Sequence, residues 1–266
     1  MRELVIKDKV LCSGRKPLVC VPLMGHTNEQ LMEHLDRIIQ ESERTSIDIV
    51  EFRGDFYDNL QKLEELEIIL HKVRELLSDK ILLFTIRSPR EGGEKVDYCS
   101  KSIEEINEFV IDKALADMVD IELFAVNDNC GKRGVDLIAL AKERNVKIIM
   151  SNHDFEKTPA KEEIVSRLTK MQQLGADVAK IAVMPNDEED IITLLQATLE
   201  MLRNHNNTPI VTMSMGAKGA LSRVAGEIFG SAFTFGAVGE VSAPGQIPVD
   251  KLNDMLDSMH YYCVEG

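Results

Sequence analysis

The residue in this 266-residue chain best placed for chemistry is Lys180, which interrupts the apolar run 178–184, VAKIAVM. An ammonium inside a buried strand costs several kcal/mol unless something compensates it. Two readings account for it. One is a structural lysine, ion-paired with Asp120 or Glu51 or snorkelling outward; the other is an enclosed amine able to attack a carbonyl and form an imine. His153, in the string 151–154 (SNHD), is the natural acid/base partner, because imidazole titrates near neutrality. A histidine alone would more often be structural, and its position one strand from Lys180 at the same rim reverses that balance. Glu91 sits on a glycine-flanked loop, 88–93 (SPREGG), that can carry a carboxylate to the imidazole and hold its tautomer. Without the histidine it would be an ordinary surface glutamate.

Three arginines form a second group. Arg53 closes the run 47–53 (IDIVEFR) with Glu51 on the same face, Arg87 closes 81–87 (ILLFTIR), and Arg223 follows the stretch 216–221 (GAKGAL). Each alone reads as a solvated surface group, but together at adjacent strand ends they would supply a local positive field. Arginine suits a carboxylate because it donates two parallel hydrogen bonds. The segment 242–246 (SAPGQ) reads either as a plain turn or as a lid presenting Ser242 and Gln246 to a ligand. Met213 and Met215 are core residues on one reading and an apolar wall over an imine on the other.

These residues acquire meaning from the elements that would carry them. Short Val/Ile/Leu-rich runs at 18–23, 47–53, 81–87, 118–124, 146–152, 178–184, 209–214 and 232–236 alternate with amphipathic stretches. That alternation is the pattern of βαβ units on a parallel sheet. Helical periodicity covers 60–77, 101–116, 187–203 and 248–260. Thr27 to Gln30 forms a capping box ahead of Leu31, Leu35 and Ile38. Thr158-Pro159 reads as an N-cap with proline in the first turn, and Gly175 as the C-cap, of a further helix. Eight such units predict a single (β/α)8 barrel domain over 1–266, with residues 1–14 as a hairpin closing its floor. A doubly wound open sheet is the alternative, and no Gly-rich phosphate fingerprint follows the first strand. Functional groups of a barrel gather at the C-terminal strand ends, and the residues singled out above lie on those strands or on the segments that follow them.

Composition narrows the partners. A net charge of -14 argues against nucleic acid and anionic membranes. No apolar run approaches the roughly 20 residues that span a bilayer, and residues 1–9 lack a signal-peptide core. A cytoplasmic protein is expected. Cys12, Cys20, Cys99, Cys130 and Cys263 show no metal spacing and read as reduced thiols.

The strings 22–27 (PLMGHT), 51–53 (EFR), 84–94 (FTIRSPREGGE), 151–155 (SNHDF), 175–185 (GADVAKIAVMP), 212–231 (TMSMGAKGALSRVAGEIFGS) and 234–247 (TFGAVGEVSAPGQI) resemble the type I 3-dehydroquinate dehydratases. The match runs over about residues 4–260, with the motifs in order at the strand ends. The resemblance implies a homodimeric, metal-free and cofactor-free (β/α)8 barrel of the shikimate pathway. Such a lyase would convert 3-dehydroquinate to 3-dehydroshikimate towards chorismate and the aromatic amino acids. It also implies Lys180 as Schiff-base lysine, His153 as acid/base and Glu91 as its orienting carboxylate. Arg223, Ser242 and Gln246 would hold the substrate carboxylate, and Glu51, Arg53 and Arg87 the ring hydroxyls. Departures are Pro22 in place of serine, the Gly54 and Phe56 neighbours of Asp55, and a longer loop at 126–133. Two rivals stand beside it: another Schiff-base barrel such as an aldolase, and a non-catalytic metabolite-binding barrel.

Overall fold

The computed structural model describes residues 3–94, 101–127 and 131–265. Cys99, Cys130 and part of the 126–133 loop lie outside them. The chain opens with the expected hairpin, β1 (Leu4–Ile6) antiparallel to β2 (Lys9–Leu11). Then β3 (Leu18–Leu23), α1 (Asn28–Ser42), β4 (Ile49–Arg53), α2 (Leu63–Leu76), β5 (Ile81–Thr85), α3 (Ile103–Asp112) and β6 (Met118–Glu122) follow. The second half runs α4 (Leu123–Asn127), α5 (Gly131–Glu143), β7 (Lys147–Asp154), α6 (Lys161–Leu174), β8 (Val178–Val183), α7 (Glu188–Asn204) and β9 (Ile210–Ser214). It ends with α8 (Ala220–Val224), α9 (Gly226–Phe229), β10 (Phe233–Ala237), β11 (Ile247–Pro248) and α10 (Val249–Glu265).

Strands β3 to β10 form one parallel sheet in the order β10-β3-β4-β5-β6-β7-β8-β9, with β11 beside the end of β10. The two edges meet: Ile210 bridges Ser231, Ala232 N donates to Ile210 O at 2.8 Å, and Thr212 N donates to Ser231 Oγ at 3.1 Å. A serine side chain thus finishes the seam where the ladder is incomplete. Side chains alternate across each strand. The outward set (Val21, Phe52, Phe84, Val119, Met150, Ile181) packs under the helices, and the inward set (Cys20, Ile49, Leu83, Met118, Ile149, Val178, Val211, Phe233) fills the lower barrel. Ile6 and Leu11 of the hairpin join that inner cluster, so the hairpin plugs the floor.

The floor is laced at alternate strands. Asp48 accepts Val19 N at 2.9 Å, Asp117 accepts Leu82 N at 2.8 Å and Asp177 accepts Ile148 N at 2.9 Å. At the fourth such place Ile210 N donates to Ser13 Oγ, 3.1 Å away and 197 residues earlier in the chain.

Several elements differ from expectation for local reasons. Strand β5 stops at Thr85 because Arg87 N donates to Asp55 Oδ1 at 3.2 Å instead of to a neighbouring strand. Residues 123–124, expected as strand, begin α4; Glu122 accepts Ser88 N at 2.8 Å at that point. The Thr158 hydroxyl is spent on Met184 O at 3.0 Å, so α6 starts later, with Ala160 rather than Thr158 at its N-cap. The capping box at Thr27 and the left-handed C-cap at Gly175 (φ 98°) form as the sequence predicts.

Candidate active site

The inward face of the middle strands changes from apolar to charged one step above the barrel core. Above Ile49, Met118, Ile149 and Val178 stand Glu51, Asp120, Ser151 and Lys180, two residues further along each strand. Lys180 is only 3% exposed. Its Nζ lies 3.5 Å from Asp120 Oδ2, 3.9 Å from Glu51 Oε1 and 4.6 Å from the centre of the Phe235 ring. Glu51 is oriented by Thr85, whose hydroxyl donates to it at 2.9 Å. The lysine is therefore both ion-paired and turned into the barrel mouth.

One strand away, at the end of β7, His153 meets Glu91, which a 3-10 turn (Pro89–Glu91) carries inward. Glu91 Oε2 lies 2.8 Å from His153 Nδ1 and accepts His153 N at 2.8 Å, while Asn152 Nδ2 donates to Oε1 at 3.1 Å. Burial, then the positive field of Arg87, Lys180 and Arg53, pushes the imidazole well below its usual range, so the ring is neutral. Burial and the nearby Glu122 carboxylate, opposed by Arg87, push Glu91 up to about 8. The ring is thus poised to take and return a proton.

The three arginines separate into two kinds. Arg53 makes a bidentate pair with the buried Asp55 at 2.9 and 2.7 Å. Arg87 donates to Glu122 at 3.0 Å, Ser151 at 2.9 Å and Asp120 at 2.9 Å. Both are held by carboxylates, so neither is free to receive an anion, although both still add to the positive field at His153. Arg223 differs. It is 1% exposed, donates to Pro244 O at 3.1 Å and touches Met213 Sδ at 3.9 Å; no carboxylate stands within ion-pair reach among the described residues. Its Nε is buried with no hydrogen-bond partner, and burial pulls the guanidinium down to about 10. A buried cation in this state is a receptor for an anion.

The loop after β10 closes beside it. Gln246 Oε1 accepts Ser242 N at 2.9 Å and its Nε2 donates to Ser242 Oγ at 3.0 Å, a clasp within the loop. Gly216 N donates to Pro244 O at 3.0 Å, tying the loop to the end of β9. Gly245 has φ +77°, and a Cβ there would stand 2.2 Å from Gly216 O, so only glycine fits.

All of Glu51, Arg53, Arg87, Glu91, His153, Lys180, Met213, Met215, Arg223, Ser242 and Gln246 line one cavity. Gly92, Phe155, Ala182, Phe235 and Ala243 complete it. The sequence reading passed over Phe235, although its alternation with Phe233 on β10 marks it as inward-facing. It also passed over Asp55 as a partner of Arg53, signalled only by standing two residues on. A wider cavity touches the far side of the Glu91–His153 pair, between α3 and α4, but contains neither Lys180 nor Arg223. Among the described residues no group of three or more His, Cys, Asp or Glu converges as metal ligands, and no helix is long and apolar enough to cross a membrane.

Known proteins share this arrangement of sequence and fold. The chain is 43% identical to the 3-dehydroquinate dehydratase of Clostridium novyi over 98% of its own length and 99% of the relative's. It is 45% identical to that of Bacillus subtilis, covering 98% of each. Among solved structures, a type I 3-dehydroquinate dehydratase from Clostridium difficile with covalently modified comenic acid superimposes with a TM-score of 0.89 at 42% identity, over 98% of this chain and 99% of that one. The 3-dehydroquinate dehydratase of Geobacillus kaustophilus superimposes with a TM-score of 0.91 at 32% identity, over 98% and 97%. The family model described as Type I 3-dehydroquinase matches residues 19–262, a stretch that holds every residue of the cavity just described. This chain belongs to the type I 3-dehydroquinase family.

Proposed function

We propose that the protein dehydrates 3-dehydroquinate to 3-dehydroshikimate through an imine on Lys180, with His153 as the single acid/base. The observation that carries this reading is one cavity holding a buried amine, a neutral imidazole held by the Glu91 carboxyl group, and a guanidinium with no anionic partner among the described residues. Those are the three things a cyclic keto acid requires. Arg223 receives the carboxylate, with Ser242 and Gln246 closing over it, and so fixes the ring ketone against Lys180. Glu51, Arg53 and Arg87 face the ring hydroxyls, and Met213 and Met215 wall the apolar side.

The Lys180 amine adds to the ketone carbon, and the ketone oxygen leaves as water. The resulting iminium acidifies the adjacent C–H. His153 Nε2 takes that proton, Glu91 holding the ring through Nδ1, and an enamine forms. The protonated ring then gives its proton to the departing hydroxyl, and hydrolysis frees the product. Acid/base help of this kind is worth about 100- to 10,000-fold. The Clostridium difficile relative was solved with covalently modified comenic acid, which accords with covalent chemistry in this family.

The same reading takes the chain as one catalytic domain acting as a homodimer in the cytoplasm. The unpaired, buried Cys12 and Cys20 support a reducing compartment. Ultraviolet detection of the conjugated product, with borohydride trapping and mass spectrometry, tests the proposal. A ligand-sized mass on Lys180 is expected, and turnover with no adduct on Lys180 would refute it. His153→Ala is expected to lose about 100- to 10,000-fold in kcat while still forming a trappable imine.

A further inference from the structure

Resting on the imine reading above, we propose that Asp120 is the fixed counter-ion of the Lys180 nitrogen, keeping the imine protonated so that it can draw electrons from the adjacent carbon. Asp120 Oδ2 is the carboxylate oxygen nearest to Lys180 Nζ, at 3.5 Å against 3.9 Å for Glu51. Both residues are buried, Asp120 at 1% exposure.

What distinguishes Asp120 from Glu51 is how it is held. Its Oδ1 accepts the Ser151 hydroxyl at 2.5 Å, and its Oδ2 accepts Arg87 at 2.9 Å. A carboxylate bound on both oxygens by strong donors is a poor proton acceptor. Arg87 and Lys180 outweigh the cost of burial and hold it below the usual carboxylate range. Glu51 has one neutral hydroxyl donor. Asp120 therefore stays anionic while protons move elsewhere in the site.

Charge balance fits that role. A lysine ammonium and a ketone give an iminium and one water: two N–H protons leave with the ketone oxygen, one C–N double bond forms, and one positive charge stays on the same nitrogen. The anion at 3.5 Å thus meets a cation before and after condensation without giving or taking a proton itself. The charge departs only when His153 removes the carbon-bound proton and the enamine forms.

The groups facing this nitrogen are Glu51 on β4, Asp120 on β6, His153 on the adjacent β7, and the Cys20 thiol on β3. Facing Asp120 are Arg87, Ser151 and Lys180, with the Glu91 and Glu122 carboxylates beyond. Burial and the Glu51 charge push the Cys20 thiol up, and His153 is neutral, so neither supplies an anion in place of Asp120.

Cyanoborohydride reduces iminium ions far faster than neutral imines, so its trapping rate on preformed enzyme–substrate imine reads the protonation directly. In the wild type, trapping should stay level through the alkaline range, whereas the imine of butylamine with the same ketone loses its rate. Asp120→Asn should lose trapping at least about one pH unit earlier, a tenfold fall in proton affinity, with the alkaline limb of kcat moving alongside it. Asp120→Glu, which restores the charge, should restore the wild-type alkaline limb even if kcat stays low. An Asp120→Asn profile matching the wild type would overturn the proposal. So would a wild-type profile matching butylamine, a result that requires no variant to fold. Absence of any Lys180 adduct in the wild type would instead refute the imine reading itself.

Discussion

Arg223 is a residue whose removal should strengthen the empty protein and disable the working one. Burial lowers its guanidinium to about 10, and a displacement of that size from the usual arginine value corresponds to about 3 kcal/mol of cost to the folded state at neutral pH. The sign is that of a base with a depressed folded pKa: the unfolded chain binds the proton more tightly, so the cost is present at every pH below about 10 and is relieved only above it. Arg223→Met removes the charge and keeps an unbranched side chain, while the Nη1 contact with Met213 Sδ goes with the guanidinium. Against that gain stands the lost donation to Pro244 O, about 1 kcal/mol. The net expectation is about 1–2 kcal/mol of added stability without ligand. In a chain of this size that is a rise of about 2–6 °C in melting temperature. The same variant should lose about 100-fold or more in kcat/KM, because the substrate carboxylate would enter a pocket with no charged donor. Calorimetry of the ligand-free variant, beside steady-state kinetics, measures both. A variant that melts below the wild type while retaining affinity for the keto acid would show that Arg223 is a structural residue and not an anion receptor.

Three further outcomes follow from the geometry. Glu91 has a raised folded pKa, so its contribution to stability is present below the unfolded carboxyl value and is lost as pH rises towards about 8. Glu91→Gln should therefore gain on the wild type in melting temperature across that window, and a constant difference with pH would contradict the assignment. Gly245→Ala forces a Cβ onto the Gly216 carbonyl, so KM should rise several-fold or more with little change in thermal stability. Unaltered substrate affinity would mean that the loop does not close on the ligand. Gln246→Ala, which breaks the clasp with Ser242, should raise KM about tenfold and lower kcat less; a fall in kcat alone would place Gln246 in the chemistry instead.

The inward-facing chemistry was legible because parallel strands alternate strictly. Once Val178 faces the core, Lys180 must face the mouth, and the same argument places Glu51, Ser151 and His153. Partnerships across strands were less legible. Nothing in the string around Arg87 says that Glu122, Ser151 and Asp120 will converge on it, because those contacts depend on the register of three separate strands. The same limit hid the solitude of Arg223, since a missing partner is a property of the assembled barrel. Helix starts failed where a side chain found a distant partner, as Thr158 did in Met184.

The lacing of the floor bears on how the chain is made. Three of the four ties join a strand to the turn before the next one, so each can form as soon as two consecutive units leave the ribosome. The fourth needs Ser13 to wait for Ile210, 197 residues later. At about 5–20 residues per second that wait lasts about 10–40 s. During that interval Ile6 and Leu11 lack the late strands of the cluster they plug. The nascent amino-terminal hairpin is thus the segment that chaperones would meet longest.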